Sequence, residues 1–369
     1  MKIGSVSLES PFVVAPMAGM TDSAFRRLVK GHGGCGLVVT EMVSADGLIR
    51  GIDRTLEYAE HTEEERPISI QIFGGDPAKM AAAAQVVEGM GADIVDINMG
   101  CPVRKIAKHN AGCSLMREPK HAAAVVDAMV RAVKIPVTVK MRAGWNQQEL
   151  NALELASRVA DAGAAAVTIH GRTAEQSYSG LADWDLVARV AREVPIPVMG
   201  SGDCLDAQQV VARLSSGVSG VLVGRGVLRN PWILGQAADL LAGRQPREVS
   251  LQNRGQFLLD YLHLLLVEGP PGSEPGSAPA RFSRPSRADR GSGLGSNVAR
   301  GREKWVINKI RALCSWYSKG LEGGSAFRVR VNRVANVDEL MGVVQECFFP
   351  PGVEYVQGGW RGPQVHELD

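Results

Sequence analysis

The chain has 369 residues, 45% of them apolar and 22% charged, with a formal net charge of +2. Such a length fits one large domain plus a smaller one, and the balance excludes a chain kept disordered by charge and low hydrophobicity. No apolar run approaches the roughly 18 residues of a membrane span, and the opening MKIGSVSLESPFVVAPMAG lacks the clean apolar stretch of a signal peptide. The six cysteines are scattered without CxxC spacing, which reads as reduced thiols in a cytoplasmic protein.

Residues 1–243 alternate two kinds of segment. Short apolar, β-branched runs predict buried strands over 12–17, 37–42, 68–73, 94–99, 136–141, 166–171, 196–200 and 220–224. Helical spacing follows most of them, over 21–31, 76–90, 118–133, 147–162, 183–193, 206–215 and 231–242, while 43–66 reads less clearly. Strands apolar on both faces suit a parallel sheet covered by helices. Eight of them in about 240 residues predict an α/β fold, a (β/α)8 TIM barrel. A doubly wound open sheet is the alternative, weakened because no GxGxxG follows the first strand. Thr21-Asp22, Asp76-Pro77, Glu118-Pro119 and Asn230-Pro231 stand where helices should begin, and Gly163 and Gly217 where they should stop.

Beyond 243 the pattern changes to a smaller C-terminal all-α helical domain, 244–347, with helices expected over 251–267, 303–319 and 325–345. Residues 269–302 form a basic insertion rich in Gly, Pro, Ser and Arg, of low-complexity composition that suits disorder or a mobile loop, and 348–369 reads as an irregular tail. Charge follows the same division. Residues 1–243 carry net −2, residues 244–369 net +4, and within 281–333 there are 13 basic residues against 3 acidic. A stretch that lopsided fits a polyanionic partner, or otherwise a solvated basic tail.

In a barrel, function belongs at the C-terminal ends of the strands. Those ends carry Pro16-Met17-Ala18, Gln71, Asn98 with Cys101, Lys140 with Arg142, His170, Ser201-Gly202-Asp203 and Gly224-Arg225. A sheet core has no packing reason for such groups, because a buried unpaired polar group costs about 1–3 kcal/mol. Glycine-rich turns after strands 7 and 8 suit a phosphate held by backbone N–H groups, although turns needing positive φ would use glycine too. No HExxH, Walker or GxSxG sequence is present. Cys101, His109 and Cys113 fit no zinc spacing, so no metal is expected. What remains is a phosphate-bearing cofactor with a Lys, a His and a Cys beside it.

These segments carry a resemblance. APMAGMTDSAFRRL at 15–28, ISIQIFGGDP at 68–77, DINMGCPVRKI at 96–106, VKMRAGW at 139–145, VTIHGRTAEQSYSGLADW at 167–184 and GVLVGRG at 220–226 are similar to the tRNA-dihydrouridine synthase family. WYSKGLEGGSAFR at 316–328 resembles its bacterial B-type branch. The resemblance implies an FMN-binding catalytic barrel over 1–243 and a tRNA-binding helical domain. The implied activity is reduction of selected tRNA uridines to 5,6-dihydrouridine with NADPH. It implies Pro16, Met17 and Ala18 against the flavin, Gln71, Lys140 and His170 on its ring edge and ribityl region, and Ser201, Gly202, Asp203, Gly224 and Arg225 at its phosphate end. Asn98, Arg142 and Tyr178 would fix the uracil, and the basic balance of 281–333 makes Lys319, Arg328, Arg330 and Arg333 the expected tRNA contacts. Cys101 takes the proton-donor position: hydride passes from flavin N5 to uracil C6, and a thiol, protonated at neutral pH with a pKa of about 8.5, protonates C5.

The sequence departs from that family's pattern at Ser201, where Asn is usual, at Leu313, where relatives of the branch often carry His, and in the 269–302 insertion. Neither a membrane nor an obligate protein partner is implied. The rival readings are an FMN barrel reducing a free pyrimidine and a non-catalytic tRNA-binding barrel protein.

Overall fold

A computed structural model describes residues 1–107, 110–268 and 294–356. Eight parallel strands close on themselves: β1 (Phe12–Val14), β2 (Leu37–Val39), β3 (Ile68–Phe73), β4 (Ile94–Met99), β5 (Val137–Arg142), β6 (Ala166–His170), β7 (Val198–Ser201) and β8 (Gly220–Val223). Each pairs with the next, and β8 returns to β1 through Leu222 opposite Val13. The expected closed barrel is therefore the observed fold. All eight strands lie inside or within a residue of the predicted runs, because a strand buried on both faces must be apolar throughout.

An antiparallel hairpin, Lys2–Ile3 with Val6–Ser7, precedes the barrel. Ile3 and Leu8 pack with Val13, Leu37, Ile94, Ala166, Met199 and Leu222, forming an apolar floor inside the barrel. Higher up, strand alternation turns polar residues inward. Lys140 stands opposite Asn98 and Thr168, and Asp96 opposite Gln71 and Thr138. With Asp96, Thr138 and Thr168, Lys140 lines a cavity of about 10 Å³, the size of one water molecule.

The helix signals succeed where the cap chemistry is strong. Asp22 and Asp76 accept from the Phe25 and Lys79 amides, and Gly163 and Gly217 follow helix ends at positive φ. Elsewhere the structure corrects the expectation. The helix predicted over 147–162 is Ala152–Asp161 only, because Asn146 first folds back onto the amides of Gln148 and Glu149. Glu118 makes no side-chain cap, and the helix after Asn230-Pro231 begins at Ile233. The unclear stretch 43–66 holds a short strand, Val43–Ser44, that pairs with β3, two five-residue helices and a 3-10 turn.

The chain divides into two compact units, Met1–Arg247 and Glu248–Asp369. The second has helices Leu251–Glu268, Leu294–Tyr317, Gly324–Arg333 and Val337–Phe348. Two expectations are corrected here. The single helix predicted over 325–345 breaks at 334–336, where Asn336 caps the last helix through the Glu339 amide. The helix predicted from 303 starts at Leu294, so the last residues of the 269–302 stretch are helical. The remainder of that stretch, 269–293, lies outside the described residues, as do His109 and the tail beyond 356. Phe257 stacks on Tyr317 at 5.6 Å, Phe327 meets Phe348 edge-on at 5.0 Å, and Leu313 is buried among this core.

Candidate active site

The C-terminal ends of the strands gather almost all the barrel residues singled out from sequence. After β1, Met17 closes a tight turn: its amide donates to Thr21 Oγ1, and its carbonyl accepts from the Met20 and Thr21 amides. Glu41, which sequence reasoning missed, accepts from the Gly19 amide at 2.6 Å and ties this turn to the loop after β2. Pro16 lines the small cavity beneath Lys140, Met17 is half-buried and Ala18 is exposed.

The β3–β4 side carries a chain of hydrogen bonds. Gln71 donates to Asp96 at 2.7 Å and accepts from Asn98 at 2.7 Å. Asn98 Oδ1 in turn accepts from the Gly100 and Cys101 amides at 3.2 and 2.9 Å. Asn98 is thereby engaged within the protein, and its visible work is to hold the Cys101 turn. The Cys101 carbonyl accepts from the Cys113 amide, so that turn is pinned from both sides. Burial pushes the Cys113 thiol up to about 11.

Lys140 and Arg142 rise side by side from β5. Burial pushes Lys140 down to about 8, with Arg142 adding repulsion and Asp96 opposing it. Among the described residues no hydrogen bond or ion pair engages the Lys140 ammonium. Arg142 is 4% exposed; Nε donates to the Gly100 carbonyl and Nη1 to those of Thr173 and Ser177. Its Nη2 has no hydrogen bond among the described residues.

Arg172 is the second residue missed as a site member, although it stands in the HGRT motif. It is 2% exposed, donates to the Ser179 and Gly180 carbonyls, pairs with Asp203 at 2.6 Å and approaches His170 Nε2 at 3.4 Å. Since a guanidinium only donates, His170 Nε2 accepts and Nδ1 carries the proton. Burial drives the His170 pKa down to about 2, helped by Lys140, Arg142, Arg172 and Arg225, so the ring is neutral at physiological pH. Asp203 stays ionised: burial raises its pKa, but the Ala182 amide and Arg172 outweigh that and hold it below the usual carboxylate range.

The turn after β7 is built for close approach. Ser201 ends the strand opposite His170. Gly202 has φ +125°, and a Cβ there would lie 2.6 Å from Ala182 Cβ and 3.2 Å from the His170 ring. Asp203 follows at φ +51°, and Trp184 Nε1 pins the Gly202 carbonyl at 3.0 Å. Positive φ thus explains glycine at 202 but not at 224, where φ is −100°. Arg225, beginning the short helix after Gly224, lies 4.6 Å from the Tyr178 ring, which is 59% exposed.

This donor set could hold a phosphate-bearing cofactor. It combines a side-chain-free turn, a half-exposed Arg225 whose nearest carboxylate is already neutralised by Arg172, and a Lys140 ammonium with no partner among the described residues. Among the described residues no group of three His, Cys, Asp or Glu could hold a metal ion.

The second unit treats its four expected tRNA contacts unequally. Lys319 is exposed and rests 4.1 Å from the Trp316 ring, and Arg333 is exposed. Arg328 bonds Ser318 and Ser325, while Arg330 is ion-paired with Glu346. No helix among the described residues is long and apolar enough to cross a membrane.

The family model described as Dihydrouridine synthase matches residues 13–268. A probable tRNA-dihydrouridine synthase of Rhodobacter capsulatus is 43% identical over 72% of this chain and 83% of its own length. The tRNA-dihydrouridine synthase B of Xanthomonas axonopodis is 34% identical over 94% and 96%. Among solved structures, morphinone reductase superposes with a TM-score of 0.49 at 15% identity, over 67% of this chain and 90% of that one.

Proposed function

The chain belongs to the dihydrouridine synthase family, and from that premise we propose that it reduces selected tRNA uridines to 5,6-dihydrouridine with FMN and NADPH. Bound FMN supplies the hydride for uracil C6. Lys140, Gln71 and His170 hold its ring edge and ribityl chain, with Pro16, Met17 and Ala18 against it. Ser201, Gly202, Asp203, Gly224 and Arg225 form the phosphate end. Asp203 contributes main chain there, since its carboxylate is bound to Arg172.

Negative charge that grows on the uracil as hydride arrives needs a fixed donor. Arg142 supplies it: three carbonyls immobilise two of its nitrogens and leave Nη2 for a uracil oxygen. The Cys101 thiol gives its proton to C5 and is reprotonated from water. Asn98 acts by holding the Cys101 turn, and the exposed Tyr178 ring offers the flipped base an aromatic face. The target base must leave its stack to enter a barrel mouth, which explains a basic helical unit, from about residue 244 to 347, that grips tRNA outside the barrel. Lys319, Arg328 and Arg333 carry that grip, with Arg330 weakened by Glu346. A cytoplasmic location follows from that substrate.

The single observation that carries the reading is the convergence of Cys101, Lys140, Arg142, His170 and Arg225 at one end of a closed barrel. The test is dihydrouridine mapping by mass spectrometry of tRNA from cells with and without this gene, together with chromatography of the flavin released on denaturation. At least one dihydrouridine should disappear with the gene, and the flavin should be FMN. Unchanged tRNA, or FAD, refutes the proposal.

A further inference from the structure

Three side chains connect the buried interior of the barrel to the Cys101 turn, and each link has a readable direction. Asn98 Oδ1 accepts from two main-chain amides, at 3.2 and 2.9 Å, which only its oxygen can do. Its Nδ2 therefore faces Gln71 Oε1 at 2.7 Å. That fixes Gln71 Nε2 toward Asp96 Oδ2 at 2.7 Å, while Thr138 Oγ1 donates to Oδ1 at 2.6 Å. The chain ends on a carboxylate that is 6% exposed and accepts on both oxygens.

We propose that Asp96 is a positioning residue: it fixes the polarity of the Gln71–Asn98 amide relay and through it the conformation of the Cys101 turn. The proposal rests on the reading of Cys101 as proton donor, and it adds a residue two positions before Asn98 on the same strand, one that acts through its neighbours.

Polarity is the decisive property. Without an acceptor at 96, Gln71 Nε2 is buried with nothing to donate to, and the amide gains by turning over. Its Nε2 would then confront Asn98 Nδ2, donor against donor. Asn98 must follow, and the Gly100 and Cys101 amides lose their shared acceptor. The carbonyl of Cys101 stays bound to Cys113, so the turn loosens at its N–H side alone. An Asn at 96 behaves differently from a Leu. Its oxygen still accepts from Gln71, and its amide can donate to Thr138, whose hydroxyl rotates to accept. Charge is lost but direction is kept.

The test compares Asp96→Asn and Asp96→Leu in the full-length, FMN-loaded protein. Native iodoacetamide labelling of Cys101 is followed by peptide mass spectrometry, with Cys35 and Cys347 as internal standards. Asp96→Leu should change the Cys101 labelling rate several-fold and leave the standards alone, whereas Asp96→Asn should stay near wild type. In turnover, Asp96→Leu should lower kcat with tRNA by up to about 100-fold, as misplacement near 1 Å does, with KM for tRNA unchanged.

Equal labelling changes in both variants would assign the effect to charge and overturn the proposal. So would wild-type labelling in an Asp96→Leu protein with a wild-type melting temperature. Should Asp96→Leu not fold, Gln71→Met cuts the relay at its middle and must change Cys101 labelling, while Thr138→Val spares the relay and must not; the reverse ranking overturns the proposal. If the wild-type protein forms no dihydrouridine, the proposed function fails, while labelling still judges the relay.

Discussion

Arginine and lysine do opposite work in the two units. In the barrel, Arg142 and Arg172 are 4% and 2% exposed, and carbonyls and a carboxylate hold their guanidinium groups. In the helical unit, Lys304, Lys319 and Arg333 are exposed. Buried cations with fixed partners define positions to a fraction of an ångström. Exposed cations supply a field that salt screens over about 8–10 Å. The barrel thus carries fixed cations, and the helical unit exposed ones. Arg311 warns against reading this from residue type: it lies in the basic unit, yet it donates to the Val331, Asn332 and Val334 carbonyls and closes the end of a helix.

The comparison is broken most sharply at Cys101. Cys101→Ala removes the proton donor and nothing that binds, so single-turnover reduction of tRNA should fall about 10²–10⁴-fold while FMN and tRNA affinities persist. Wild-type rates in that variant would return Cys101 to a packing role.

Arg172→Met comes next. It leaves the Asp203 carboxylate with only the Ala182 amide and a distant Arg225, and frees two carbonyls; breaking such a pair costs about 3 kcal/mol when buried, less here because Asp203 is partly exposed and keeps those contacts. Urea denaturation should show the loss and FMN should bind more weakly. The double variant Arg172→Met/Asp203→Asn should lose less than the two single effects added. Strict additivity would mean that the two residues act separately.

His170 sharpens the barrel side through pH. Its native pKa of about 2 lies far below the unfolded value of about 6.5. Between those values the unfolded chain binds a proton that the native ring refuses, so this group's contribution is fully present above pH 6.5 and is lost as pH falls through the window. Melting temperatures from pH 7 to 4 should therefore drop less steeply in His170→Gln than in wild type. Parallel curves would show that another group sets the acid limit.

The helical unit yields the smallest effects per residue. Lys304, Lys319 and Arg333 changed together to Ala should flatten the log–log salt dependence of tRNA binding by about 0.7–0.9 for each lost phosphate contact. Arg330→Ala should change it less, because Glu346 already offsets that charge. A deletion that asks what the low-complexity segment adds should remove 269–293 and stop there, since Leu294 begins a helix that reaches Tyr317. If Arg330→Ala matches the triple variant, the ranking by exposure is wrong.

Sequence alone determined the eight strands and their closure into a barrel. Burial on both faces forces continuous β-branched runs, and that demand is local enough to read residue by residue. It also determined that Gln71, Asn98, Lys140 and His170 stand in the strands, where a buried polar side chain needs a partner to be tolerated. Tertiary structure alone decided how those residues are connected. Asp96 bonds Gln71 and Thr138 because strand register sets it opposite them, and Arg172 meets Asp203 because its side chain reaches 31 positions along the chain. The same holds at Arg330, where Glu346, 16 residues further on, supplies a carboxylate, while Arg333 has no such partner among the described residues. Spacing along a chain fixes the face on which a side chain emerges; only packing fixes what it meets there.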